Sequence, residues 1–218
     1  MPTLLKSLAL AALVISGVAS AAPGASAGVL EVFSMTATAA PKVGEPAPDF
    51  TATDSYGKPV KLSDFRGKFV VLEWTNDGCP FVAKHYHSGN MQALQKDATA
   101  HGAVWLSVIS SAPGKQGSVD GPRANALSAQ RGAAPSHVLL DPSGALGHLY
   151  SAKTTPHMFL VNPEGKLIYA GGVDSIPSAD PDDIKAAKPY VKVALAEAMS
   201  GKPVTDAVTQ PYGCSVKY

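Results

Sequence analysis

The chain has 218 residues, of which 45% are hydrophobic and 16% are charged, and 18 Lys and Arg residues against 17 Asp and Glu residues give a net charge of +1. This length and composition suit one globular domain with a substantial core. The near-neutral balance excludes a basic field for nucleic acid and an acidic solvating tail, so we expect no nucleic-acid partner.

The N-terminal residues have the pattern of a secretory signal peptide. Lys6 supplies a positive charge, an apolar run follows over residues 7–18, and Ala19-Ser20-Ala21 offers an A-x-A cleavage site. We predict a signal peptide over residues 1–21 and a flexible Ala-, Gly- and Ser-rich leader over residues 22–42. An uncleaved anchor is the alternative, but the run is short for a membrane span. The mature protein is expected in a bacterial periplasm or outside the cell, not embedded in a membrane.

The next segments predict a β-hairpin and a buried strand. Two short alternating runs, DFTATD and KPVKLSD, flank the turn Ser55-Tyr56-Gly57-Lys58, a pattern that is typical of a hairpin. The continuous apolar run KFVVLEW, over residues 68–74, predicts a central strand that is buried on both faces.

A helix is predicted to begin at Cys79-Pro80, because proline fits the first helical turn, where its missing N–H costs nothing. Ser88-Gly89-Asn90 should interrupt or kink this helix, with Asn90 capping the second part. Further along, AVWLSVIS and HVLLD predict buried strands, ANALSAQRG predicts a short helix, and a helical turn follows Pro142-Ser143-Gly144.

The last third of the chain predicts a second hairpin and a terminal helix. TTPHMFLVNPEGKLIYAGG contains two β-rich runs joined by the turn sequence N-P-E-G. DPDDIKAAKPYVKVALAEAMSG predicts a helix or helix pair, with Asp180 as its N-cap and a division at Pro189. The order of elements predicts an α/β fold with a mixed central sheet and helices on both faces. We assign the domain to residues 43–200 and a tail without clear periodicity to residues 201–218.

Three features resemble the thioredoxin-like superfamily, and within it the alkyl hydroperoxide reductase/thiol-specific antioxidant (redoxin) branch. VGEPAPDFTATDSYGKPVKLSDFRGKFVVLEW follows the usual redoxin opening, Cys79-Pro80 follows the first core strand, and Thr155-Pro156 precedes the second hairpin. The resemblance covers residues 43–172. It implies a thioredoxin-like fold in which Pro156 is cis and lies beside the active cysteine. The stretch CPFVAKHYHSGNMQALQ resembles a peroxiredoxin-like subgroup with a single cysteine at this place.

The resemblance implies an antioxidant or disulfide-exchanging thiol oxidoreductase with Cys79 as the reactive thiol and Thr155-Pro156 shaping its site, and the signal-peptide pattern makes it an exported one. A helix N-terminus stabilises a thiolate, which can attack either a peroxide oxygen or a disulfide sulfur. Peroxides and protein or small-molecule thiols and disulfides are therefore the candidate substrates and reductants. The alternative is that Cys79 is a buried, inert thiol.

The sequence also departs from the family patterns. Peroxiredoxins use P-x-x-x-T-x-x-C, but Leu72 and Asn76 stand at the proline and threonine positions. The activating arginine of the family lies late in the fold, whereas the last arginine here is Arg131. Val82 stands where a C-x-x-C motif would place its second cysteine. The standard peroxide site is thus incomplete, and a local dithiol is excluded.

Cys214, in the tail, is the only other cysteine in the sequence. Some two-cysteine peroxide reductases carry a resolving cysteine at the C-terminus, so the resemblance makes Cys214 a candidate resolving partner of Cys79. An intermolecular bridge is one alternative. The other is a non-catalytic interaction protein with a static disulfide that closes a loop of about 135 residues.

A metal-binding module is a further alternative. Cys79, His85 and His157, with Cys214 as a fourth ligand, could bind copper or zinc, although Ala83 breaks the C-x-x-x-C pattern of copper chaperones in this superfamily. His85, Tyr86 and His157 are otherwise expected around the thiol, where His157 could act on it electrostatically. No organic cofactor is implied.

Overall fold

The computed structural model describes residues 40–218. The predicted signal peptide, and the leader up to residue 39, lie outside this range. Within residues 40–218, no helix has the length and apolar character required to cross a membrane.

The regular elements of residues 40–218 are five α-helices and nine strands, two of which have only two residues. In chain order they are β1 (Thr51–Asp54), β2 (Pro59–Lys61), β3 (Val70–Trp74), α1 (Pro80–His87), α2 (Asn90–Ala100), β4 (Val104–Ile109), α3 (Gly121–Gln130), β5 (His137–Leu140), α4 (Ala145–Leu149), β6 (Thr154–Thr155), β7 (His157–Val161), β8 (Leu167–Gly171), α5 (Tyr190–Met199) and β9 (Cys214–Ser215). Short 3-10 turns cover Leu62–Phe65 and Pro181–Lys185.

Seven strands form one mixed sheet in the order β2-β1-β5-β4-β3-β7-β8, and β6 pairs separately with β9. Strand β3 lies between β4, with which it runs parallel, and β7, with which it runs antiparallel. All five residues of β3 are buried, as the apolar run predicts. Strands β1 and β2 form the predicted antiparallel hairpin. The arrangement is the predicted thioredoxin-like fold.

Each face of the sheet carries its own hydrophobic core, because side chains alternate along a strand. Leu72, Trp74 and Phe159 belong to the first core, which Leu146 of α4 also enters. Val71 and Met158 belong to the second core, together with residues of α1, α2 and α5. Helices therefore cover both faces, as predicted.

The first helix is interrupted where the sequence predicts it. Helix α1 ends at His87 and α2 begins at Asn90, with Gly89 between them at φ 76°. The prediction that Asn90 caps α2 is wrong, because Gly89 occupies the N-cap position. The Asn90 amide nitrogen instead lies 2.8 Å from His85 Nδ1. Asn90 therefore contacts a side chain of the preceding helix.

The end of the domain follows the predicted division. The Asp180 side chain accepts a hydrogen bond from the backbone N–H of Asp182 at 2.9 Å, at the start of the 3-10 turn. Pro189 then stands at the N-cap position of α5. The predicted helix pair is therefore one 3-10 turn followed by one α-helix.

The C-terminal tail is ordered against the domain. Val208 forms a parallel bridge with Ala170 at the edge of β8. Further on, β9 pairs antiparallel with β6 and aligns Cys214 with Thr155. Val216 is buried in the first core. Strand β9 has only two residues, which explains why no sequence period reveals it.

Candidate functional site: a remote thiol pair

Cys79 occupies the N-cap position of α1, with Pro80 in the first turn, so the predicted helix start is correct. Its carbonyl oxygen accepts the Ala83 N–H at 2.9 Å. The residue is fully buried, and its thiol donates to the carbonyl oxygen of Thr155 at 3.0 Å. The thiol is thus held between the start of a helix and the short strand β6.

Thr155 and Pro156 lie beside this thiol and are joined by a cis peptide bond. The Thr155 hydroxyl is buried and has no hydrogen-bond partner among residues 40–218 while both cysteines are thiols. A hydroxyl in this state can donate to a sulfur that becomes negatively charged.

The tail brings the second thiol to the same place. Cys214 lies opposite Thr155 in the β6–β9 pair and is partly exposed. Gly213 precedes it at φ 139°, and a Cβ atom there would lie only 2.1 Å from the Thr155 carbonyl oxygen. Only glycine permits this approach. The structure therefore brings together all four residues that the sequence singles out as a thiol site: Cys79, Thr155, Pro156 and Cys214.

The two thiols differ in acidity. Burial opposes ionisation of Cys79, but its thiolate can accept hydrogen bonds from the Cys214 thiol, from the Thr155 hydroxyl and from the backbone N–H groups of Cys214 and Val82, and these outweigh burial and lower its pKa. Burial raises the pKa of Cys214 to about 11, and the hydrogen bond and charge of Cys79 act in the same direction. When a proton leaves the pair, the negative charge therefore resides on Cys79.

A buried ionic cluster holds the tail next to α1. The Asp174 cluster consists of Lys84, His85, Asp174 and Tyr212. The Lys84 ammonium lies 3.3 Å from Asp174 Oδ2, with side-chain exposures of 0% and 4%. The Tyr212 hydroxyl donates to Asp174 Oδ1. Since Tyr212 precedes Cys214 by two residues, this cluster ties the tail to the helix that begins at Cys79.

His85 belongs to the Asp174 cluster as a neutral ring. Its Nε2 lies 3.2 Å from the Tyr212 hydroxyl oxygen, and Asn90 lies at its other ring nitrogen. Burial lowers its pKa to about 4; Asp174 opposes the shift and Lys84 adds to it. His85 therefore supports the tail and is not a solvated helix residue.

A second buried cluster lies beneath α1 and α2. The Glu73 cluster consists of Glu73, Tyr86, Gln95, Trp105 and Ser107. The Tyr86 hydroxyl donates to Glu73 Oε1 at 2.8 Å. The other three side chains donate to Oε2 at 2.7 to 3.1 Å. Burial raises the pKa of Glu73, and these hydrogen bonds only partly oppose it. Tyr86, which was expected near the thiol, thus fastens α1 to the sheet.

Asn76, at the threonine position of the peroxiredoxin motif, and Arg131, the last arginine in the sequence, are both engaged with other groups. The Asn76 amide nitrogen donates to the Gln116 carbonyl oxygen at 3.0 Å, and its amide oxygen accepts the Gly78 N–H at 2.9 Å. Arg131 pairs with Asp77 and lies 4.9 Å above the Tyr86 ring. Both side chains therefore have partners other than the Cys79 sulfur.

The candidate metal ligands are not all brought together, since His157 lies apart from the two cysteines. His157 packs against Phe159, with ring centroids 4.4 Å apart, on the face of the sheet opposite the core that contains Cys79. Burial and the charge of Lys153 lower its pKa to about 4. The expectation that His157 lies beside the thiol is wrong, because strand alternation turns its ring away. Across residues 40–218, no group of three or more His, Cys, Asp and Glu side chains could hold a metal ion.

The sequence does not single out several of the residues that build the site. Glu73 is marked in the sequence as an acidic residue inside an apolar strand. Gly213 and Tyr212 had only their closeness to Cys214. Asp174 follows β8 in an ordinary loop sequence and had no signal. Their roles depend on where the tail lies, which local patterns do not reveal.

Comparison with known proteins identifies relatives along most of the domain. The profile of the AhpC/TSA family matches residues 43–170. The thiol-disulfide oxidoreductase ResA of Bacillus subtilis is 28% identical over 132 residues, covering 57% of this chain and 64% of that protein. Peroxiredoxin 2 of Caldanaerobacter subterraneus subsp. tengcongensis is 62% identical over 32 residues, covering 15% of this chain and 14% of that protein. The chain thus spans less than two thirds of the length of these curated relatives.

Solved structures share the fold. A hypothetical protein from Sinorhizobium meliloti 1021 matches with a TM-score of 0.71 and 23% identity, covering 81% of this chain and 94% of the other. An uncharacterized conserved protein from Geobacillus kaustophilus matches with a TM-score of 0.68 and 23% identity, covering 81% of this chain and 92% of the other. The shared fold therefore extends beyond the segment that matches the family profile.

Proposed function

The chain belongs to the AhpC/TSA family, and from that premise we propose that it is an exported thiol–disulfide oxidoreductase whose redox-active pair is Cys79 and Cys214. The pair cycles between dithiol and disulfide, transferring two electrons and two protons, and requires no organic cofactor. The observation that carries the proposal is the β6–β9 pairing, which aligns Cys214 with Thr155 while the Cys79 thiol donates to the same residue.

The acidity of Cys79 supports this function. A thiol exchanges with a disulfide only as its thiolate, and the hydrogen bonds around Cys79 lower its pKa. Full burial alone is also what an inert thiol would show. An inert thiol, however, does not require a second thiol and an unpartnered Thr155 hydroxyl beside it.

Disulfide exchange is favoured over peroxide reduction. A peroxidase needs donors that hold the peroxide next to the sulfur, but Asn76 and Arg131 have other partners. The relative named a thiol-disulfide oxidoreductase also aligns over 132 residues, whereas the peroxiredoxin match covers 32.

The test is the redox behaviour of the pair. The reduced protein is equilibrated in buffers of reduced and oxidised glutathione, alkylated and analysed by mass spectrometry. We expect an intramolecular Cys79–Cys214 disulfide that glutathione reverses. We also expect catalysed oxidation of a test dithiol, or catalysed reduction of a test disulfide, that Cys79→Ser and Cys214→Ser both abolish.

Each contrary result identifies a different alternative. Failure to form the intramolecular disulfide overturns the proposal. A disulfide that glutathione cannot reduce indicates a static structural bridge. Oxidation of Cys79 by hydrogen peroxide far faster than that of a free thiol, with no catalysed exchange, indicates a peroxidase.

Export is the remaining part of the proposal, and it is supported by the signal-peptide pattern of residues 1–21. An oxidising compartment suits a protein that alternates between dithiol and disulfide. Fractionation of cells that produce the full chain, followed by N-terminal sequencing, tests it. We expect an exported product lacking the first 21 residues or slightly more; a full-length product in the cytoplasm contradicts export.

A further inference from the structure

The two sulfurs of the pair differ in access as well as in acidity. Cys79 has 0% exposure, because it lies under the tail and against Thr155. Cys214 is partly exposed on the outer strand β9. In thiol–disulfide exchange, the incoming thiolate must reach the sulfur that it attacks. Cys79 does not meet this requirement, and Cys214 is the more exposed residue of the pair.

Resting on the proposed dithiol–disulfide function, we propose that substrate thiols react at Cys214, with Cys79 as the internal leaving group, so that the disulfide form oxidises exposed thiols. This arrangement reverses the roles that the family resemblance implies, in which Cys79 meets the substrate and Cys214 resolves. The tail cysteine carries the mixed disulfide, and the helix cysteine closes the internal bridge.

The reaction balances in two exchanges. A substrate thiolate attacks the Cys214 sulfur, a substrate–Cys214 disulfide forms, the Cys79–Cys214 bond breaks, and its electron pair leaves on Cys79. A second substrate thiolate then attacks the substrate sulfur of the mixed disulfide, and Cys214 departs and takes up a proton. The substrate thiols are oxidised to a disulfide, and the protein disulfide is reduced to a dithiol. A low-molecular-weight disulfide such as oxidised glutathione reverses both exchanges and regenerates the oxidant.

The surroundings of Cys79 favour its departure as a thiolate. A leaving thiol departs faster when its pKa is lower, and the pKa of Cys79 is lowered. The unpartnered Thr155 hydroxyl gains a partner when Cys79 becomes negatively charged. Stabilising the leaving thiolate also stabilises the reduced protein, which makes the internal disulfide more oxidising.

The fixed tail favours the internal step. Gly213 and the Asp174 cluster hold Cys214 beside Cys79, so the released Cys79 thiolate stays in reach of the mixed disulfide. When the substrate has only one thiol, the Cys79 thiolate can attack the Cys214 sulfur of the mixed disulfide and expel the substrate thiol. The mixed disulfide therefore persists only while substrate thiol is in excess.

The experiment locates the mixed disulfide. The oxidised full chain is mixed with glutathione for milliseconds to seconds, quenched with acid, alkylated and digested for mass spectrometry. We expect transient glutathione on Cys214 together with an alkylated Cys79. Glutathione on Cys79 overturns the inference while leaving the proposed function intact. If the Cys79–Cys214 disulfide never forms, both proposals fail.

Single-cysteine variants provide a second measurement. Cys79→Ser and Cys214→Ser are each treated with an aromatic disulfide reagent in the native state and in urea. Acidity alone makes Cys79 the faster thiol, whereas access makes Cys214 faster. We expect Cys214 to react at least about tenfold faster in the native proteins, and the difference to disappear in urea. A faster native reaction of Cys79 contradicts the inference.

Discussion

The Glu73 cluster and the Asp174 cluster each contain a buried carboxyl group. Consecutive residues of helix α1 contribute side chains to both clusters. Lys84 and His85 contact Asp174 or Tyr212, whereas Tyr86 donates to Glu73. The Glu73 cluster draws its members from neighbouring elements of the central fold. The Asp174 cluster joins α1 to a loop after β8 and to the tail.

The partners of the two carboxyl groups differ in charge. The Glu73 side chain receives hydrogen bonds from neutral groups only, and burial raises its pKa. Asp174 has a buried ammonium group 3.3 Å away. Hydrogen bonds from neutral donors suit a permanent part of the core, since they bring no second charge into it. The Lys84–Asp174 ion pair joins α1 to the loop after β8, and Tyr212 adds the tail by its hydrogen bond to Asp174. The complete cluster therefore depends on the tail position, which the thiol pair also requires.

Removing the cation of the Asp174 cluster should have the largest effect. Lys84→Met leaves the Asp174 carboxylate buried without its counter-ion, and breaking a buried pair in this way costs about 3–5 kcal/mol. We expect a loss of this size in the unfolding free energy of the reduced protein, measured by urea denaturation. The matched control is the double variant Lys84→Met/Asp174→Asn, which removes both charges and should recover much of the loss. A loss in the single variant of less than about 1 kcal/mol would show that the pair is not desolvated.

Acidification should weaken the protein through His85. Its pKa is lowered from 6.5 to about 4, so between these values the unfolded chain binds a proton that the folded protein does not. Stability is therefore lost as the pH falls from about 6.5 to about 4, by roughly 3 kcal/mol for complete titration of this one group. Urea midpoints at several pH values measure the slope.

The control for this pH dependence of stability is a variant whose residue 85 has no titratable side chain. His85→Gln should flatten the dependence but not abolish it, because His157 has a similarly lowered pKa and contributes with the same sign. An unchanged slope in His85→Gln would mean that His85 is already protonated in the fold.

A matched pair of tyrosine variants separates the two clusters by function. Tyr212→Phe and Tyr86→Phe each remove a hydroxyl that donates to a buried carboxyl group, and each should lower the unfolding free energy by about 2 kcal/mol. Only Tyr212→Phe loosens the segment that carries Cys214. We expect the equilibrium constant for Cys79–Cys214 disulfide formation against glutathione to fall about tenfold in Tyr212→Phe and to stay unchanged in Tyr86→Phe. Equal effects of the two variants would remove the distinction between the clusters.

The fold was predictable because its signals are local. The apolar run of β3, the proline after Cys79 and the turn at Asn162 each depend on a few neighbouring residues. Asn90 shows the limit of this approach. From the sequence alone, Asn90 could either cap α2 or contact His85. Because Gly89 adopts the left-handed backbone at the N-cap position, Asn90 contacts His85.

The site was predictable only in part, for a related reason. Cys79 and Thr155-Pro156 stand in motifs, so their neighbourhood was expected. The position of Cys214 depends on a two-residue strand and on Gly213, and neither produces a period. His157 was misplaced because adjacency to Pro156 in sequence says nothing about which face of the sheet its ring takes.

The smallest predicted effect distinguishes the clusters by the sign of their pH dependence. Burial raises the pKa of Glu73 above its usual 4.5, so the folded protein favours the protonated carboxyl group. This contribution to stability is present below pH 4.5 and is lost as the pH rises through the folded pKa, opposite in sign to that of His85. In Glu73→Gln, the amide oxygen can accept the three donors at Oε2 and the amide nitrogen can donate to Tyr86, without any charge. We expect a loss of about 1 kcal/mol in the free energy of unfolding near pH 4 that shrinks as the pH rises, measured by urea denaturation.

Glu197→Gln is the control, because its exposed carboxylate accepts from Thr205 and these hydrogen bonds lower its pKa. The same substitution there should cost more as the pH rises. A Glu73→Gln penalty that also grows with pH would mean that Glu73 is ionised in the fold, and the contrast in charge between the two clusters would be lost.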